Sequence, residues 1–223
     1  MKLIPCLLAL LLLVNCNGDK DPEPGPDDQD LNTAWDFLNP QVFDLIDSTE
    51  TRIQLDLKSN ALWYHDSQAG LMYTEVTGDF TISAIVRARK KSDNDQVVDC
   101  DVCLGGLMAR DPLSAGGQNY VHIVTGNTPA GLGVETKRTE NSVSTYEPVN
   151  NGSADNELRI QRIGSEYKLY KRAVGATTWI EAATYQHDNL PETLQVGINI
   201  YTAQSGTSVA DLSVIYEGIV LEQ

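Results

Sequence analysis

Apolar and polar residues alternate with a period of two along much of this chain. In residues 80–88, Phe80, Ile82, Ala84 and Val86 share one face, while Thr81, Ser83 and Arg87 share the other. In residues 120–125, Val121 and Ile123 oppose Tyr120 and His122. In residues 194–201, Leu194, Val196, Ile198 and Ile200 oppose Gln195, Gly197, Asn199 and Tyr201. Residues 158–163 and 167–171 read as two further strands, and residues 209–220 as one or two more. Successive side chains of a strand point to opposite faces, so this rhythm predicts half-buried strands. Turn signals separate them: Gly78-Asp79, Gly116-Gly117, Gly126-Asn127, Asn151-Gly152 and Gly164-Ser165. No stretch holds a helical period; residues 44–47 and 188–193 have room for a single helical turn at most. Many short strands with regular turns predict an all-β fold, an antiparallel two-sheet sandwich or jelly roll.

The first 30 residues follow a different pattern. Lys2 precedes a solid apolar run from Leu7 to Val14. A bilayer-spanning helix takes roughly 20 apolar residues, so this run has the length of a secretory signal instead. It ends at Leu13-Val14-Asn15-Cys16, which resembles the lipobox of bacterial lipoproteins, with Asn15 where a small residue usually stands. The resemblance implies a signal peptide at 1–15, a lipid on Cys16, and a cell-envelope location, in the outer membrane and either periplasmic or surface-exposed. Residues 17–30 carry six acidic residues and three prolines with almost nothing apolar, and so read as an extended tether completing a 16–30 segment. The expected folded domain is 31–223.

Charge narrows the partners. A net charge of −15 repels phosphate backbones and anionic lipid surfaces, so nucleic acid is excluded as a partner. Contact with the membrane is expected through the lipid anchor only.

Within the domain a series of segments resembles one family. Leu62-Trp63, Tyr73 and Thr77-Gly78-Asp79-Phe80 are similar to the opening of a concanavalin A-like accessory domain. Gly106-Leu107-Met108-Ala109-Arg110-Asp111, then residues 119–125, are similar to its next two strands. Leu158-Arg159-Ile160-Gln161-Arg162, Tyr167-Lys168-Leu169-Tyr170 and Thr177-Thr178-Trp179 are similar to its hairpin, and Val196-Gly197-Ile198-Asn199-Ile200 to its penultimate strand. The family belongs to the concanavalin A-like lectin and glucanase superfamily and often accompanies secreted carbohydrate-active enzymes. The resemblance implies a jelly roll with a concave face suited to a glycan. The turn before Trp179 lacks the family's aspartate.

Candidate chemistry follows. Glycosidic cleavage needs two carboxylates flanking the bond, and the superfamily's Glu-x-Asp-x-x-Glu strand is absent, as is a Gly-x-Ser-x-Gly elbow. Binding without catalysis, with no required cofactor, is therefore the favoured expectation. A polysaccharide hydrolase or lyase, with its pair drawn from distant strands, is one alternative. A protein-interaction module is the other. A sugar ring stacks on aromatic faces while polar groups fix its hydroxyls. Arg110, Tyr120, His122, Asn199 and Tyr201 fall on the faces opposite the apolar positions, and they form a glycan site if their strands lie side by side. Trp63, Tyr64, His65 and Asp66 form a second aromatic and polar cluster, in which Trp63 reads as core. Cys100 and Cys103 are expected to form a structural disulfide outside the cytoplasm. On a straight strand they would stand roughly 10 Å apart, so the bridge requires a turn or bulge. Asp93, Asp95, Asp99 and Asp101 crowd a polar loop whose oxygens suit calcium.

Overall fold

The computed structural model describes residues 35–49, 51–113 and 116–223. Cys16, the signal segment and the acidic tether lie outside the described residues. In chain order the strands are β1 (Asp36–Leu38), β2 (Phe43–Ser48), β3 (Arg52–Leu57), β4 (Gly70–Thr77), β5 (Phe80–Lys90), β6 (Asp93–Val97), β7 (Cys103–Arg110) and β8 (Tyr120–Thr128). They continue with β9 (Gly131–Glu140), β10 (Val143–Asn150), β11 (Asp155–Ile163), β12 (Glu166–Arg172), β13 (Ile180–Gln186), β14 (Thr193–Thr202) and β15 (Ser213–Glu222). A single 3₁₀ turn, Pro40–Val42, interrupts the described strands.

Two antiparallel sheets form a sandwich. Sheet one runs β1-β4-β14-β7-β8-β9-β10, and sheet two runs β13-β12-β11-β5-β15-β3-β2 with β6 beside β5. The facing surfaces interdigitate as a dry core. Sheet two contributes Leu55, Ile82, Ala84, Val86, Leu158, Ile160, Leu169 and Val214, and sheet one contributes Leu107, Ala109, Val121, Ile123, Val196, Ile198 and Ile200, all buried. At Gly105 the absence of a side chain admits Val214 and Tyr216 from the opposite sheet.

Residues 44–47 lie within β2 and form no helical turn, because pairing with β3 satisfies their backbone. Residues 187–190 do close a turn, through Leu190 N donating to His187 O. Gly126-Asn127 belongs to β8, and the chain reverses after Thr128 instead, where Ala130 N donates to the Thr128 hydroxyl. Asp93 and Asp95 lie on β6 rather than in a loop.

Burial separates the two sheets more sharply than sequence alternation does. In β5 and β11, buried and half-buried positions alternate. In β7, β8 and β14, nearly every residue is buried on both faces. The outer face of sheet one is covered by residues 58–69, the crossover from β3 to β4. This strap is fixed near β14 by Thr202 N donating to Ala61 O at 2.9 Å. At its far end it reaches β10, where His65 N donates to Ser144 Oγ at 2.9 Å. Beneath it, Gly106 and Gly197 leave the sheet surface without side chains. A Cβ at Gly197 would lie 2.0 Å from Met72 O, and one at Gly106 2.2 Å from Ile123 O.

Because these clashes are with backbone, Gly197→Ala is expected to destabilise the domain by about 3 kcal/mol. The check is the urea midpoint at unchanged m-value; a midpoint equal to wild type would contradict this view of the sheet.

Candidate functional site

The five predicted binding residues converge on the outer face of sheet one. Register places Arg110 opposite Tyr120, Met108 opposite His122, Gly106 opposite Asn199, and Leu104 opposite Tyr201. The His122 and Tyr201 rings stack at 5.6 Å with an interplanar angle of 22°, spanning the intervening β7. The condition set by the sequence, that these strands lie side by side, is met. The expected openness is absent: Arg110, Tyr120, His122, Asn199 and Tyr201 are all buried. The period-two pattern assigns the polar side of these strands to solvent, whereas the strap turns that side into a second interior.

Trp63 is the centre of the covering. It is buried as expected, but on this outer face rather than between the sheets. Its ring meets Tyr120 edge-on at 5.6 Å, and the Arg110 guanidinium lies 5.9 Å from its centroid. Its indole N–H donates to Gly70 O at 3.4 Å. Arg110 in turn donates to Gln195 Oε1 at 2.5 Å and Gln118 Oε1 at 3.2 Å. Replacing Arg110, Tyr120, His122 and Tyr201 together would therefore hollow out an interior, not silence a surface patch.

A second group of residues escaped the sequence reading. Glu135 and Lys137 of β9 point to the same face, paired at 3.1 Å and almost fully buried. Tyr201 donates its hydroxyl proton to Glu135 Oε1 at 3.0 Å, and Lys137 Nζ donates to Trp63 O at 2.8 Å. Lys137 Nζ also sits 5.3–5.7 Å from the ring centroids of Tyr64, Tyr146 and Tyr201, within cation–π range. The signal available in the sequence was a pair of opposite charges two residues apart on a strand, which share a face.

Electrostatics follow from dryness. Burial tends to raise the Glu135 pKa, but His122 and Lys137 together more than offset it and hold the group as a carboxylate. Burial, with Lys137 adding to it, pushes the His122 imidazole down to about 4 against the opposing pull of Glu135. Burial raises the Tyr120 phenol to about 12. Both ring nitrogens of His122 and both amide atoms of Asn199 are buried without a hydrogen-bond partner. His122 Nε2 approaches Glu135 only to 3.7 Å.

At the strap's β10 end lie half-buried Tyr64, exposed His65 and, from β10, exposed Tyr146. The rings of Tyr64 and His65 lie 3.9 Å apart, and Tyr64 meets Tyr146 edge-on at 6.1 Å. His65 Nδ1 lies 2.9 Å from Ser142 O, and Ser142 Oγ donates to Asp66. This is the Trp63–Asp66 cluster of the sequence, joined here by Tyr146.

The remaining candidates lie elsewhere. Cys100 and Cys103 are bridged with their Cα atoms 5.7 Å apart. The left-handed backbone at Val102, φ 46°, supplies the turn that a straight strand lacks. Asp99 pairs with Lys90 at 2.6 Å, and Asp93 accepts hydrogen bonds from Asp95 N and Gln96. Among the described residues no three His, Cys, Asp or Glu side chains are gathered to hold a metal ion.

No protein-family model matches the chain, and no curated protein sequence matches it. Solved structures do. A functionally unknown protein from Saccharomyces cerevisiae superposes with a TM-score of 0.66 at 14% identity, over 84% of this chain and 95% of its own. Lectin I-B4 from Griffonia simplicifolia gives 0.55 at 14% identity, over 87% and 94%. The fold is a concanavalin A-like jelly roll. A xylan β-1,4-xylosidase from Bacillus halodurans gives 0.62 at 11% identity, with this chain spanning 41% of that longer protein. At these identities the likeness is one of fold.

The buried imidazole makes stability pH-dependent. The folded pKa of His122 lies below the ordinary value of 6.5, so the unfolded chain takes up a proton that the folded chain refuses. Stability is expected to fall by on the order of 3 kcal/mol as pH drops from about 6.5 to about 4. His187, also lowered by burial, acts in the same direction. Urea midpoints measured across this range should fall steeply for wild type and less steeply for His122→Gln; identical slopes would contradict the assignment.

Proposed function

We propose that this chain is a cell-envelope lipoprotein whose jelly-roll domain binds carbohydrate without cleaving it. The observation that carries the reading is the gathering of aromatic and polar side chains from β14, β7, β8, β9 and β10 on one sheet face. Aromatic faces and fixed hydrogen-bonding groups on a rigid sheet are what sugar recognition requires. The fold shared with a lectin and with part of a xylosidase supports a carbohydrate-related role. The first contact surface in this reading is the rim formed by half-buried Tyr64 and exposed His65 and Tyr146, with Asp66 beside it. The reading without catalysis rests on Glu135: the carboxylate at the heart of the face is engaged by Tyr201 and Lys137 and so removed from acid–base work.

The envelope location rests on the lipobox-like Leu13-Val14-Asn15-Cys16, with residues 17–30 as the tether. Cys16→Ser is expected to abolish incorporation of radiolabelled palmitate and release the chain from the membrane fraction. Persistent labelling would overturn the anchor.

Residues 31–223 screened on a glycan array, with calcium and again with a chelator, test the binding reading. Specific retention is expected, and Tyr64→Ala and Tyr146→Ala are each expected to weaken it roughly ten-fold, about 1.4 kcal/mol. Loss of retention with chelator would show that binding needs a divalent cation. Silence on the array in both conditions would overturn carbohydrate binding in favour of a protein partner.

A further inference from the structure

The outer face of sheet one combines two properties that fit poorly in a permanent interior. Its floor is polar, and part of that polarity is unused. Asn199 is fully buried, yet neither its amide oxygen nor its nitrogen finds a hydrogen-bond partner, and neither ring nitrogen of His122 finds one. Burying such groups without a protein partner costs about 1–3 kcal/mol each where nothing else satisfies them. Apolar residues of similar size would avoid that cost. The cover, by contrast, is one continuous segment. Residues 58–69 place Trp63 over the face, where it is fully buried, and polar contacts hold the segment from Trp63 to Asp66. Lys137 donates to Trp63 O, His65 bonds to Ser142 and Ser144, and Asp66 bonds to Ser142.

From this we infer that the face is a ligand site closed by its own strap, and that it takes a single neutral sugar ring when the strap lifts. Neutrality follows from the charges: Lys137 and Glu135 already satisfy one another, Arg110 is bonded to Gln195 and Gln118, and the unused groups include the Asn199 amide and the His122 imidazole. Those two groups offer both donors and acceptors, the combination that vicinal hydroxyls match. Restriction to one ring follows from the cover. The strap is held near β14 through Ala61 while its His65 end leaves β10, so the space that opens is the one Trp63 fills, that of one indole. Gly106 and Gly197 leave two positions of the same sheet face without side chains. A displaced Trp63 then presents an aromatic face for stacking on the bound ring. The inference rests on the carbohydrate reading and assigns it a mechanism: a terminal or free sugar is recognised, and the interior of a polymer is not.

The test locks the strap. Asp66→Cys combined with Ser142→Cys replaces a direct side-chain contact with a removable disulfide. The full chain is passed over immobilised galactose, mannose, xylose and N-acetylglucosamine, and in parallel over xylan and glucan. Wild type under the same oxidation and reduction is the control, since Cys100–Cys103 also responds to reductant. The expected result is retention of wild type on at least one monosaccharide, loss of at least ten-fold in the oxidised double variant, and recovery on reduction. Asn199→Leu is expected to lose retention while its thermal midpoint stays level or rises. Undiminished retention of the locked variant, retention on polymers only, or an Asn199→Leu variant that is destabilised but still retained would each overturn this inference and leave carbohydrate binding standing. Wild type retained on no sugar would bring down the carbohydrate reading and this inference with it.

Discussion

The rest of this structure depends on keeping a charged pair dry. Glu135 and Lys137 sit on a sheet face that should, by its alternation, meet water. They stay there because Tyr201 donates to the carboxylate, Trp63 O accepts from the ammonium, and three tyrosine rings surround that ammonium. Removing one member would leave its partner buried and uncompensated, which is among the costliest single changes a domain suffers. Through Lys137 and Trp63 O the pair also joins the strap to sheet one. It also explains why β7, β8 and β14 are buried on both faces while β5 and β11 alternate. Specificity of arrangement, more than net stability, is what such a network contributes.

Much of the sandwich was legible in the sequence, for a plain reason. Strands with one face on the core and the other half exposed, such as β5 and β11, carry the alternation in its clearest form. The cores of β8, β12 and β14 were found in the same way. β9 was missed because its buried positions include Glu135, Thr136, Lys137 and Thr139, which read as a solvated loop until their partners are known. β6 was missed because Asp93 and Asp95 are exposed on a short strand paired only with β5. The helical turn read at residues 44–47 failed because strand pairing with β3 overrides weak local preference.

The candidate site was half legible. Periodicity put Arg110, Tyr120, His122, Asn199 and Tyr201 on the sides of their strands away from the core and left their sharing a face conditional on strand order, which the pairing of β14, β7 and β8 supplies. Nothing in those five residues discloses that a segment some 40 positions upstream of Arg110 folds over them. That information sits in Trp63, whose burial was foreseen but whose location was not. Long-range covering of a sheet face has no local periodicity, so a pattern reading cannot find it. The lectin and xylosidase likenesses describe the scaffold; the sealed face is a property of this chain's own residues.

The most direct test of a strap closed over a polar floor is native-state hydrogen exchange of the full chain. The amides of His65 and Ser67, which bond to Ser144 Oγ and Tyr64 O, report on the strap, and those of Leu107 and Ile123 report on the sheet beneath. The account predicts that the strap amides exchange through a local opening several kcal/mol below global unfolding, while the sheet amides exchange only with it. Strap and sheet amides exchanging together, at the global free energy, would contradict a cover that opens.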